Sequence, residues 1–198
     1  MKLPQTLCAC IIILNLLFLS CFNREGTETC FVGDSLVQLW DVQNYFPDLY
    51  IHKYGVGGAK LSDLANWDLS ECAGNTVVLL IGTNDLSSIM GKDSSLLSSY
   101  VNRYCKQVDK IQASRVIAIS ILPRKKSSAN STSINNFIKI VNERLRKEIY
   151  AYDSTYIFLD VQSLFMNGDD IISEYFRDGV HLTQSGYDLL SDRLRRVL

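Results

Sequence analysis

The stretch Thr76-Val77-Val78-Leu79-Leu80-Ile81-Gly82-Thr83-Asn84-Asp85 decides the fold. Val77 to Ile81 are apolar without alternation, the pattern of a strand covered on both faces, as in a parallel sheet with helices above and below. Gly-Thr-Asn-Asp then ends the strand with turn-forming residues. Arg115 to Ile121 (RVIAISI) reads the same way, and shorter apolar runs occur at Cys30 to Val32, Leu49 to Tyr54 and Tyr156 to Asp160.

Segments of helical period lie between these runs. Leu97, Tyr100, Val101, Tyr104, Cys105, Val108 and Ile111 fall on one stripe; Ile134, Phe137, Ile138, Val141, Leu145 and Ile149 form a second; Tyr187, Leu190, Leu194 and Val197 form a third. Strand and helix in alternation predict an α/β three-layer sandwich on a flavodoxin-like, parallel five-stranded sheet. There is no internal repeat and no interdomain linker.

The chain has 198 residues, 47% hydrophobic and 21% charged, which suits one domain with a sizeable core. Twenty Lys and Arg against 21 Asp and Glu leave a net charge of −1, so nucleic acid is excluded as an expected partner. With two His and no Cys/His cluster at ligand spacing, a zinc site is not expected. Cys30, Cys72 and Cys105 cannot all pair, and they read as small buried hydrophobes.

Leu7 to Phe22 is apolar, preceded by Lys2 and followed by a polar stretch, too short for an ordinary span and suited to a secretion signal. Phe18-Leu19-Ser20-Cys21 resembles a bacterial lipoprotein signal, which implies lipidation at Cys21. The expected organisation is a signal peptide over 1–20, a tether over 21–28 and a domain over 29–198. The protein is then exported and membrane-anchored, in the periplasm or at the cell surface; an uncleaved anchor or a secreted form is the alternative. Eight extended residues from Phe22 to Thr29 reach at most about 28 Å, which keeps the domain near the bilayer. The first strand enters the sheet at the edge opposite its ligand-binding loops, so those loops would face away from that membrane.

In a doubly wound sheet, the loops after the strands gather at one edge, where ligands bind. Those loops carry Gly33-Asp34-Ser35-Leu36, Tyr54-Gly55-Val56-Gly57-Gly58-Ala59 and Gly82-Thr83-Asn84-Asp85, with Asp178-Gly179-Val180-His181 ahead of the last helix. The four blocks, in this order, resemble the SGNH hydrolases, the GDSL esterase/lipase family, over nearly all of the chain after the signal. The resemblance implies a catalytic Ser35, His181 and Asp178. It also implies an oxyanion hole from the Ser35 and Gly58 backbone N–H groups and the Asn84 amide, with Gly57 as the alternative glycine.

The chemistry explains the residue types. A serine hydroxyl needs a base to remove its proton, and the imidazole needs a carboxylate to fix its tautomer. The expected activity is ester hydrolysis through an acyl-Ser35 intermediate, with no metal or organic cofactor, on short acyl groups of glycans or small esters. A lysophospholipase or thioesterase activity, acyl transfer to a sugar hydroxyl, or a silent binding module remain as alternatives. His52 lies inside a strand-like run and reads as structural or solvent-facing rather than catalytic. Arg124-Lys125-Lys126 reads as a solvated loop rather than a cationic rim of the site. Leu86, Ile89 and Met90 either line an acyl pocket or pack beneath their loop.

Overall fold

The computed structural model describes residues 28–91, 93–125, 131–153 and 155–198. The expected signal, Cys21 and the tether up to residue 27 lie outside the described residues, as does Lys126. Five strands, β1 (Thr29–Gly33), β2 (Ile51–Gly55), β3 (Thr76–Leu80), β4 (Arg115–Ile119) and β5 (Tyr156–Leu159), form one parallel sheet in the order β2-β1-β3-β4-β5. That is the flavodoxin-like order, whose switch point lies where β1 stands between β2 and β3. All five expected strands are present, with ends moved by one or two residues. The hydrophobic periodicity marks a strand's interior better than its termini.

The helices are α1 (Ser35–Gln38), α2 (Val42–Tyr45), α3 (Leu86–Ile89), α4 (Ser94–Asp109), α5 (Ser131–Tyr152) and α6 (Gln184–Arg195). Helices α4 and α5 cover one face with Leu97, Tyr100, Tyr104, Val108, Ile138, Val141 and Leu145. Helices α1, α2 and α6 cover the other, where Leu36, Val37, Val42, Tyr187, Leu190 and Leu194 pack around Phe31 and Trp40. The three stripes read from the sequence are therefore the buried faces. A small antiparallel hairpin, β6 (Met166–Asn167) with β7 (Asp170–Ile171), was not expected; its strands are too short to show a period.

One cysteine reading is corrected. Cys30 on β1 and Cys72, in the 3-10 turn Ser70–Cys72, form a disulfide with Cα atoms 5.7 Å apart, and among the described residues only Cys105 is a free buried thiol. An odd number of cysteines does not prevent one pair, and the turn before β3 brings Cys72 back beneath β1.

Candidate active site

Strand β1 passes directly into α1, so Ser35 begins a helix at the carboxyl edge of the sheet. The turn is held from several sides. Asp34 caps α1 by accepting from Leu36 N–H at 2.9 Å, and Tyr187 on α6 donates to the Leu36 carbonyl at 2.8 Å. Lys53 on β2 donates to the carbonyls of Gln38 and Trp40, both at 2.8 Å, and so satisfies the far end of the helix. Glycine is required beneath it: a Cβ at Gly55 would lie 2.6 Å from the Gln38 Cα, so no larger residue admits α1 this close to β2.

His181 comes from the segment between β7 and α6. Its Nε2 lies 3.0 Å from Ser35 Oγ, and its Nδ1 lies 2.6 Å from Asp178 Oδ2. Asp178 Oδ1 accepts from the backbone N–H of Val180 at 3.0 Å and of His181 at 2.8 Å. Partial burial works to raise the Asp178 pKa, but the bonds from the His181 ring and from the two N–H groups outweigh it and bring it down to about 2. An ionised Asp178 can only accept, so Nδ1 carries the proton in the neutral ring and Nε2 is left to accept from the Ser35 hydroxyl. The loop is tied across to the segment after β4, where Lys125 N–H donates to the Gly179 carbonyl at 2.8 Å. Ser35, His181 and Asp178, apart in sequence, are thus joined in one hydrogen-bonded chain.

The other expected site residues lie on adjoining loops. Asn84 donates one amide hydrogen to the Ala59 carbonyl at 2.9 Å, which joins the loops after β2 and β3 and leaves its second amide hydrogen without a partner among the described residues. Val56 to Ala59 form a turn closed by Ala59 N–H on the Val56 carbonyl, with Gly58 at φ +78°, the value a type II turn requires at its third position. Gly57 lies beside the Gln38 side chain, whereas nothing stands where a Gly58 side chain would be. Ser35 N–H, in the first turn of α1, has no intrahelical acceptor.

Two charged residues here were missed or misread from the sequence. Asp34 is fully buried, and its Oδ2 has no partner among the described residues. Burial pushes its pKa up to about 6, against the opposing effects of the Leu36 hydrogen bond and the nearby His181 and Arg124 charges, while Asp85 adds to the rise. Arg124 is not a solvated loop residue: its guanidinium is half-buried and donates to the Thr83 carbonyl at 3.2 Å, beside Asn84. Its burial depends on the neighbouring loop, which charge patterning cannot reveal. Lys125 pairs with Asp170 on β7. Leu86 and Ile89 are buried beneath their loop, whereas Met90 borders an open cleft of about 520 Å³ with Phe137 and Ile140. His52 lies elsewhere, on β2 between Glu28 and Glu71. Among the described residues no group of three or more His, Cys, Asp or Glu could hold a metal ion.

A doubly wound sheet with serine, histidine and aspartate hydrogen-bonded at its carboxyl edge defines a hydrolase-type fold and site. The sequence matches the GDSL-like lipase/acylhydrolase family over residues 31–189, and the chain belongs to that family. No curated protein matches the sequence. Similar solved structures include a GDSL-like lipase from Bacteroides thetaiotaomicron, 19% identical, covering 88% of each chain at a TM-score of 0.69. A lipase/acylhydrolase from Enterococcus faecalis is 19% identical over 86% of this chain and 94% of its own, at a TM-score of 0.64. A catalytic mutant of an acetylxylan esterase from Geobacillus stearothermophilus is 16% identical over 86% of this chain and 93% of its own, at a TM-score of 0.65. At these identities the likeness is one of fold.

Proposed function

We propose that the protein is a serine ester hydrolase that works through an acyl-Ser35 intermediate and removes short acyl groups from carbohydrates or other small esters. The observation that carries the reading is the chain Ser35 Oγ to His181 Nε2 at 3.0 Å and His181 Nδ1 to Asp178 Oδ2 at 2.6 Å. As Ser35 attacks the ester carbonyl, its proton passes to Nε2, and Asp178 remains ionised beside the resulting imidazolium. The oxyanion is met by the N–H groups of Ser35 and Gly58 and by the second amide hydrogen of Asn84, donors of a kind worth about 3 kcal/mol each. The imidazolium then gives its proton to the leaving alkoxide. Water, deprotonated by His181, attacks the acyl-enzyme and returns Ser35.

Small substrates are supported by the openness of the site, since the side chains of Asp178 and His181 are 47% and 27% exposed. They are supported too by the packing of Leu86 and Ile89, which are not free to line a long acyl channel. The likeness to an acetylxylan esterase fold is consistent with a glycan ester. We place the protein outside the cytoplasm, on a lipid anchor at Cys21, and the Cys30–Cys72 disulfide suits an oxidising compartment.

Labelling with a fluorophosphonate, followed by hydrolysis of 4-nitrophenyl acetate, tests the reading. The wild type is labelled and hydrolyses the ester; Ser35→Ala loses the label and about 10⁴-fold or more of kcat. Equal labelling of both proteins, or of neither, refutes it.

A further inference from the structure

A polar groove runs along the outer flank of α4, away from the hydrogen-bonded chain just described. It has two clefts, of about 270 Å³ and 310 Å³, that share Gln107. The upper cleft is bordered by Lys60 and Asp85. Each follows directly on a partner in the Asn84 to Ala59 hydrogen bond, so the groove begins one residue from Asn84 and two from Gly58. The lower cleft is bordered by Trp67, Lys110 and Gln112 at the far end of the helix. From Arg103 to Lys110, the C-cap of α4, the helical rise gives about 10 Å, the length of a short oligosaccharide.

The lining has two chemical features. First, its cations are exposed. Lys60, Arg103 and Lys110 have no carboxylate at ion-pair distance among the described residues, although Lys60 and Arg103 lie near enough to Asp85 to work against the rise that burial gives its pKa. The acids that border the clefts are already engaged. Asp68 accepts from Ser70 N–H and its hydroxyl, and Asp85 is buried and accepts from Leu61 N–H at 3.1 Å. Second, the lower cleft is bordered by a half-buried indole, Trp67, and also by Gln112. Gln112 has φ +55°, a left-handed conformation that costs a side-chain-bearing residue about 1 kcal/mol and that glycine adopts freely. The chain nonetheless places an amide-bearing residue at this cleft. An aromatic face for a sugar ring, amides for hydroxyl groups and unpaired cations for acid groups together suit one ligand class.

We propose that this groove binds a carboxylate-bearing oligosaccharide, whose uronic acid groups meet Lys60 and Arg103 while a sugar ring lies on Trp67. Only the further step, that this glycan is the alcohol half of the substrate, rests on the ester-hydrolase reading.

The test is a fluorescence titration of full-length Ser35→Ala with trigalacturonic acid and with xylotriose. Trp67 is the reporter, since Trp40 is fully buried. Trigalacturonic acid quenches the signal and binds at least about tenfold more tightly than the neutral trimer, and binding weakens as salt is added. Adding Lys60→Gln and Arg103→Gln weakens it about tenfold. Equal binding of the two trimers, no binding of either, or indifference to the double substitution overturns the proposal. Hydrolysis of 4-nitrophenyl acetate by the wild type is measured alongside. Hydrolysis without glycan binding removes the groove alone, and binding without hydrolysis removes the enzyme reading while the groove stands.

Discussion

The chain's two histidines make the same first contact and differ in the second. His181 and His52 each present Nδ1 to a carboxylate at 2.6 Å, from Asp178 and Glu71 respectively. The other nitrogen of His181 faces the Ser35 hydroxyl at 3.0 Å, whereas that of His52 faces a second carboxylate, Glu28, at 3.1 Å. A neutral ring fixed by one carboxylate has a lone pair to offer, and a hydroxyl is what that lone pair can deprotonate. A ring with a carboxylate against each nitrogen fastens its neighbours and has no nitrogen turned towards a hydroxyl. The histidine–carboxylate pair therefore does not define a base; the partner of the second nitrogen does.

Substitution at each histidine is the strongest way to break this comparison. His181→Ala lowers kcat for 4-nitrophenyl acetate by about 10⁴-fold or more, while His52→Ala stays within about twofold of wild type. Equal losses at the two positions would show that the distinction has no catalytic meaning. Asp178→Asn comes next. The amide leaves the His181 ring free to take the wrong tautomer, so kcat falls by about 10⁴-fold while KM changes little, as steady-state kinetics on the same ester will show. A loss expressed mainly in KM would mean that Asp178 shapes the pocket and does not orient the ring.

The sequence made the site edge legible and left the opposite edge obscure, for a physical reason. Ser35, the glycine loop and Asn84 follow directly on β1, β2 and β3, so finding TVVLLI and the other runs already locates them at one edge, and Asp178 and His181 stand just ahead of the last helix. The Cys30–Cys72 bond and the setting of His52 depend instead on how the chain returns beneath β1 before β3, which no local period encodes. Arg124 belongs with these, because a neighbouring loop covers it. Asp34 stands inside the recognised block, yet nothing in the letters Gly-Asp-Ser-Leu says that its carboxyl is sealed from water.

Removing the disulfide sharpens the contrast in terms of stability. It joins residues 42 apart in sequence, a loop whose closure is worth about 4 kcal/mol by the chain-entropy argument. Cys30→Ser with Cys72→Ser lowers the free energy of unfolding in urea by about that much. At temperatures where the variant remains folded, its kcat is unchanged, since the bond fastens the edge remote from Ser35. A fall in kcat without a fall in stability would place the two edges in communication.

Asp34 supplies the smallest of these effects and its sign is fixed by burial. Its folded pKa is about 6 against an ordinary 3.8, because a sealed carboxyl resists ionisation. A group whose folded pKa is raised contributes its stability below the unfolded value and loses it as pH rises through the folded value. The contribution is therefore full below about pH 4 and lost by about pH 7, and it amounts to about 3 kcal/mol. Asp34→Asn keeps an oxygen to cap α1 and has no charge to bury, so it lacks this dependence. Urea unfolding at a series of pH values, wild type minus variant, isolates the term from every other titrating group. The difference declines from pH 4 to 7. A flat difference would mean that Asp34 titrates normally in the folded protein, and that a solvating group reaches the orphaned Oδ2. A steep decline would identify the turn beneath Ser35 as a place where stability is given up, in contrast to the His52 edge, whose polar side chains are matched.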